Sequence, residues 1–260
     1  MDKRNKKNER IGEEGYNFYG TLMKIIEYTN KRSIVVEFQD EHKYHKRTNY
    51  GAFKKGIVHN PYDKTVYGVG YLGVGKYNRE DNHKRYDVWS KMIQRCYDAY
   101  AINRNMTYKD VKVCKEWHCF QNFAKWYENN YYEIENEEMN LDKDILVKGN
   151  KIYSPQMCIF VPKRINQLFV KSNKSRGKYP IGVSEDYDKS HGYRKLKVSC
   201  NTLRGCKHLG RFSLDKPFQA FTCYKQFKEN YIKQVADEYK DLIPNKLYEA
   251  LYKYEVEIND

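Results

Sequence analysis

"YRKLKVSCNTLRGCKHLGRF", residues 193–212, alternates apolar and polar side chains on either side of an Asn-Thr-Leu-Arg-Gly stretch, the pattern of two strands joined by a turn. In the first strand Leu196 and Val198 mark one face, which turns Lys195 and Lys197 to the other. In the second, Leu209 and Phe212 read as inward and His208 and Arg211 as outward. Upstream, "YPIGVSED" (179–186) supplies a third strand. Downstream, "PFQAFTCYKQFKENYIKQVADEY" (217–239) opens on Pro217 and repeats Ala220, Tyr224, Phe227, Tyr231 and Val235 at helical spacing. Antiparallel strands packed on one helix bury one face of the sheet. The other face carries Lys195, Lys197, His208 and Arg211, with Arg194, Arg204 and Lys207 nearby, a basic ribbon of the width a DNA major groove admits.

The rest of the chain has the same electrostatic sign. Its 260 residues hold 48 Lys and Arg against 34 Asp and Glu, a net charge of +14, which is a field suited to a polyanion. Nucleic acid is the leading partner, although Lys-rich composition also follows from an AT-rich genome. The charged start "MDKRNKKNER" and the lack of any apolar run near the roughly 20 residues needed to span a bilayer predict a soluble, unexported, cytoplasmic protein with no membrane partner. Seven cysteines without a short-domain spacing pattern predict thiols rather than a disulfide framework.

The expected fold class is α+β in three modules. Residues 1–62 read as a basic tail and a small β-barrel-like domain, from the β-branched and aromatic runs "YNFYGTLMKIIEY" and "RSIVVEFQDE". Residues 63–170 form a central domain, and residues 171–260 the sheet and helix with a C-terminal helical extension that resumes after Pro244. The glycines at 68, 70, 73 and 75 lack the strand, helix and Lys-Ser/Thr pair of a phosphate loop, so they read as a linker or turn. Two amphipathic helices follow, one presenting Val88, Trp89, Met92, Ile93 and Cys96, the next Trp117, Phe120, Phe123, Ala124 and Tyr127. A loop is expected between them.

The candidate chemistry lies in "LDKDILVKGNKIYSPQMCIFVP", residues 141–162. On an extended strand Asp142 and Asp144 project from one face, where two oxygen ligands can hold Mg²⁺. The following turn, return strand and helix-like "KRINQLFV" complete a strand-turn-strand-helix order, in which a nuclease uses Asp142, Asp144 and Asn150. Cys114 and His118, spaced as Cys-x3-His, offer two zinc ligands, while the close Cys-x2-Cys knuckles of a zinc module are missing.

Residues 85–169, with "VWSKMIQRCY", "VCKEWHCFQNFAKW", "LDKD", "YSPQMC" and "FVPKRIN", resemble the phage-encoded HNH-endonuclease-like family, which implies a ββα metal site. The sequence departs from that family where it matters for catalysis. Asp142, Lys143 and Asp144 stand where the first histidine belongs, Met157 fills the closing position, and no histidine occurs between His118 and His191. Hydrolysis needs a positioned base, so either His83, His118 or another module supplies it, or the site is a remnant whose aspartates pair with Lys148, Lys151 or Arg164. The second alternative predicts no metal-dependent cleavage. "IGVS", "YRKLKV" and "HLGRF" followed by a helix resemble the AP2-like DNA-binding domain; the resemblance implies contacts from Ser184, Lys195, Lys197, His208 and Arg211.

The resulting expectation is a phage-type protein that binds double-stranded DNA, in the host cytoplasm if phage-encoded. Two rivals stand beside it: a Mg²⁺-dependent HNH-family DNA endonuclease, and a phage inhibitor of a host nucleic-acid-guided defence such as a CRISPR effector. The last makes RNA or a nucleic-acid-bound protein complex the partner.

Overall fold

The computed structural model describes residues 10–170, 177–189, 192–258 and 260. It is a mixed α+β chain that divides into two compact units, Met1–Asn129 with Ile152–Ser154, and Asn130–Lys151 with Pro155–Asp260. The boundaries expected at 62/63 and 170/171 therefore do not coincide with the compact units, because the expected central domain contributes to both.

The first unit begins with an antiparallel meander, β1 (Glu14–Tyr16), β2 (Leu22–Asn30), β3 (Ser33–Phe38) and β4 (His45–Thr48), hydrogen-bonded in that order. No pairing joins β1 to β4, so the sheet stays open where a barrel-like closure was expected. Met23, Ile25, Ile34, Val36 and Phe38 alternate onto one face and pack with Phe53 of α1 (Tyr50–Lys54). Asn49 caps α1 by accepting from the Ala52 amide at 2.8 Å. The connection to the helices is stapled by buried Asp63, which accepts from Asn17 Nδ2 at 2.6 Å and Thr21 Oγ1 at 2.5 Å.

Next come α2 (His83–Tyr97), α3 (Ala99–Arg104), β5 (Lys112–Val113) and α4 (Phe120–Asn130). The expected stripes are the buried ones: Trp89, Met92, Ile93 and Cys96 on α2, and Trp117, Phe120, Phe123, Ala124 and Tyr127 on and before α4. Val88 is only half-buried, and α3 occupies part of the expected loop. The Trp89 indole donates to the Trp117 carbonyl at 2.7 Å, which ties the two stripes together. Of the four glycines, Gly70 packs against Trp89 so closely that a Cβ would lie 2.9 Å from the indole. The stretch is thus a packed turn.

The second unit holds β6 (Met139–Asp142), which pairs antiparallel with β8 (Ile159–Pro162), and the short α5 (Lys163–Gln167). Between them β7 (Ile152–Tyr153) belongs to the first unit, where it runs parallel to β5. Then follow β9 (Val183–Asp188), β10 (Tyr193–Thr202), β11 (Gly205–Phe212), α6 (Pro217–Glu238) and α7 (Asn245–Tyr252). The three strands form a sheet of order β11-β10-β9.

Helix α6 serves two cores. Its first half places Ala220, Phe221 and Tyr224 on Leu196, Val198 and Cys200 of the sheet. Its second half places Ile232, Val235 and Ala236 among Ile159, Val161 and Ile165 of the β8–α5 corner and Leu247 and Leu251 of α7. Phe227 and Tyr231, expected in the buried stripe, are only half-buried and stack on each other at 6.1 Å, while Lys228 takes a buried position. Among the described residues no helix is long and apolar enough to cross a membrane.

Candidate nucleic-acid interface

Strand pairing assigns each β9–β11 side chain to a face. Lys197 lies opposite Ser184 of β9 and Arg211 of β11, so these three form one row across the sheet. Ser199 opposite His208 forms the next, and Lys195 opposite Asp186 the one before. All stand on the face away from α6, since Leu196, Val198 and Cys200 between them are buried against that helix. Ser184, Lys195, Lys197, His208 and Arg211 are therefore brought onto one surface.

Leu209 and Phe212 both reach inward although their spacing of three breaks strand alternation. The register shift between Val198 and Ser199, which pair with Gly210 and His208, leaves Leu209 as the extra residue of a β-bulge. Gly210 adopts φ +153° there, a conformation open to glycine and costly for other residues. The bulge restores His208 to the outward face.

Three of the expected contact residues lie elsewhere. Arg194 pairs with Tyr187 in register and shares the helix-side face with Glu185, to which its guanidinium bonds at 2.6 Å. That bond holds the Glu185 carboxyl below the usual carboxylate range. Lys207 is registered with buried Cys200, and its ammonium lies 4.9 Å from the Phe227 ring centroid. Arg204 is exposed in the β10–β11 turn, between the two strands.

Two residues not expected in the sequence belong to the surface. Asp186 reaches across the central strand to Arg211 at 3.2 Å, so the face is less uniformly basic than the sequence implies. The alternation of "VSED" contains the signal, since buried Val183 fixes Ser184 and Asp186 as its outward partners. Tyr193 lies under Lys195, with its ring centroid 4.6 Å from the ammonium. Lys197 and His208 form no ion pair among the described residues.

The candidate metal site has a different geometry from the expected one. β6 ends at Asp142, so Asp144 falls in the bend and the two carboxylates do not share a strand face. Asp142 Oδ1 instead accepts from the amides of Asp144 at 2.9 Å and Ile145 at 2.7 Å, closing an Asx-type turn. Burial, with the Asp144 charge next in size, pushes the Asp142 carboxyl up to about 6. Asp144 pairs with Lys143 at 3.0 Å, and the Lys143 ammonium also donates to the Asn150 carbonyl at 3.1 Å. The Asn150 amide returns a bond to the Lys143 carbonyl at 2.6 Å, so the Asn150 side chain clamps the loop. Two of the three expected partners are engaged elsewhere, Lys148 with Asp260 at 2.7 Å and Arg164 with Glu137 at 3.7 Å.

Cys114 and His118 belong to the first unit and Asp142 and Asp144 to the second. His118 Nε2 lies 3.1 Å from the Val113 carbonyl, and burial lowers its pKa; burial raises that of the Cys114 thiol. Among the described residues no group of three or more His, Cys, Asp or Glu is placed to hold a metal ion. Neither the Asp142–Asp144 pair nor the Cys114–His118 pair is joined by a third such donor among the described residues.

A scan against protein-family models, a search of curated proteins and a search of solved structures each return no match to the chain.

Proposed function

We propose that the chain binds duplex DNA through the outward face of the β9–β11 sheet. The observation that carries this is the placement of Lys195, Lys197, His208 and Arg211 on one surface with Ser184, opposite the face covered by α6. Adjacent strands lie about 4.8 Å apart, so a three-stranded ribbon is about 10 Å across its backbones, within the roughly 12 Å of a major groove. The resemblance of "IGVS", "YRKLKV" and "HLGRF" to AP2-like domains points the same way. Lysine and arginine supply phosphate contacts, which position a protein on DNA; Asp186 beside Arg211 favours a base-edge partner over a second phosphate at that point. In this proposal Asp142, Asp144 and Asn150 shape a loop and cleave nothing.

Fluorescence anisotropy of a labelled duplex across a salt series tests it. If about four phosphates are neutralised, log affinity falls against log salt with a slope of about −3 to −4. Lys197→Ala should flatten the slope by about one unit, and Arg194→Ala, on the other face, should leave it unchanged. Salt-indifferent binding, or equal losses in the two variants, would defeat the proposal. Plasmid incubated with the same preparation and Mg²⁺ should stay intact, and cleavage abolished by the Asp142→Ala, Asp144→Ala double variant would restore the endonuclease.

A further inference from the structure

Lys228 is the exception on α6. It is 8% exposed, at a position where the helix otherwise buries Tyr224 and Ile232, and no acceptor or carboxylate among the described residues pairs with its ammonium. A buried charge without a counter-charge is strongly disfavoured even after relaxation. Such residues are ordinarily paired or neutralised.

Lys228 lines a cavity of about 320 Å³ within the second unit. Side-chain donors from two helices share that wall, Gln167 at the end of α5 and Tyr224 of α6, while Tyr254 after α7 bonds Asp260 there and β10 lines it at Ser199 and Asn201. Gly182, at φ +77°, closes one side against the Tyr224 ring so tightly that a Cβ could not be accommodated. Leu168, Ile181 and Val256 supply apolar surface. The one carboxylate on the wall, Asp260, is already engaged by Lys148 at 2.7 Å and by the Glu257 amide at 2.9 Å. A cavity of this size is at the lower end of those that hold small organic ligands.

We infer that this cavity binds a small anion bearing a carboxylate or phosphate group, with Lys228 as its counter-charge and the Tyr224 and Gln167 side chains as neutral hydrogen-bond donors. The anion supplies the partner the ammonium lacks, and the apolar walls shield the pair from water, where it is stronger than at the surface. Burial lowers the Lys228 pKa, an effect that an anion beside it would reverse. The cavity draws on the helix side of the sheet and does not depend on DNA binding by the outward face.

The test is thermal unfolding of the full chain in chloride, inorganic phosphate or butyrate at constant ionic strength. Phosphate or butyrate should raise the melting temperature over chloride, and which of them does so identifies the headgroup. Lys228→Met and Lys228→Gln should each remove that rise. No anion-specific rise in the wild type overturns the inference, as does an undiminished rise in either variant. Should neither variant fold, a structure of the wild type with the stabilising anion decides: anion at Lys228 supports the site, and anion elsewhere overturns it.

Discussion

A fragment of residues 177–239, the sheet and its helix alone, is expected to be unfolded in isolation, whereas residues 130–260 should unfold cooperatively. The short fragment keeps the contacts of Ala220, Phe221 and Tyr224 with the strands but strips the cover from Ile232, Val235 and Ala236. Those side chains pack on Ile159, Val161, Ile165, Leu247 and Leu251, all outside the fragment. Exposing such a cluster at about 1.5–3 kcal/mol per large side chain removes much of the roughly 5–15 kcal/mol that holds a domain together. Single substitutions scale accordingly. Ile232→Ala should cost about 2–5 kcal/mol, and half-buried Phe227→Ala about 1 kcal/mol. Circular dichroism with urea titration measures all of these; a cooperatively folded 177–239 fragment would show that the sheet and α6 are self-sufficient.

The second expectation concerns Asp142. Its folded-state pKa, pushed up to about 6, lies above the ordinary value of 3.8, so the folded chain holds the proton more tightly than the unfolded chain. The associated stability is fully present below about pH 4 and is lost as pH rises through about 6, a change on the order of 3 kcal/mol. Asp142→Asn keeps an oxygen for the Asp144 and Ile145 amides without the charge. The stability of wild type relative to Asp142→Asn should therefore decline between about pH 4 and pH 6 and then level off. Asp142→Ala orphans both amides and should be about 1–3 kcal/mol less stable than Asp142→Asn at every pH. A wild-type advantage over Asp142→Asn that grows with pH would mean that the charge is stabilised in the fold.

The elements that could be read from the sequence are those in which one stripe meets one partner. Trp89, Met92 and Ile93 on α2 and Phe120, Phe123 and Ala124 on α4 repeat with helical period and are buried together. The same rule identifies α6 and its length but misplaces its stripe. A helix that turns one face to a sheet and then another to a β-corner does not follow a single apolar line, so Phe227 and Tyr231 pack at the margins of the two cores only half-buried, and Lys228 takes a buried place. Lysine reads as solvent-facing in any sequence, and its burial is fixed only by what packs around it. The basic face was readable to the extent that alternation was. Arg194 and Lys207 fall on the other side because neighbouring residues in a strand point oppositely, and the same alternation brings Asp186 onto the basic face. Asp144 was misplaced for a local reason, since an aspartate that bonds the amides after it ends a strand as effectively as glycine does.

The short strand β7 has a consequence for heredity. The chain passes between its two units at 129/130, again at 151/152 and a third time at 154/155, and only three residues are returned by the last two crossings. They are nonetheless the partners of β5: Tyr153 accepts the Cys114 amide at 2.9 Å and Ile152 pairs with Lys112. A gene fusion or recombination event that carried off everything after residue 129 would leave β5 without its neighbour, and one that carried in only that portion would bring a stray strand. Neither unit is a cassette, and the two halves of the gene must travel together.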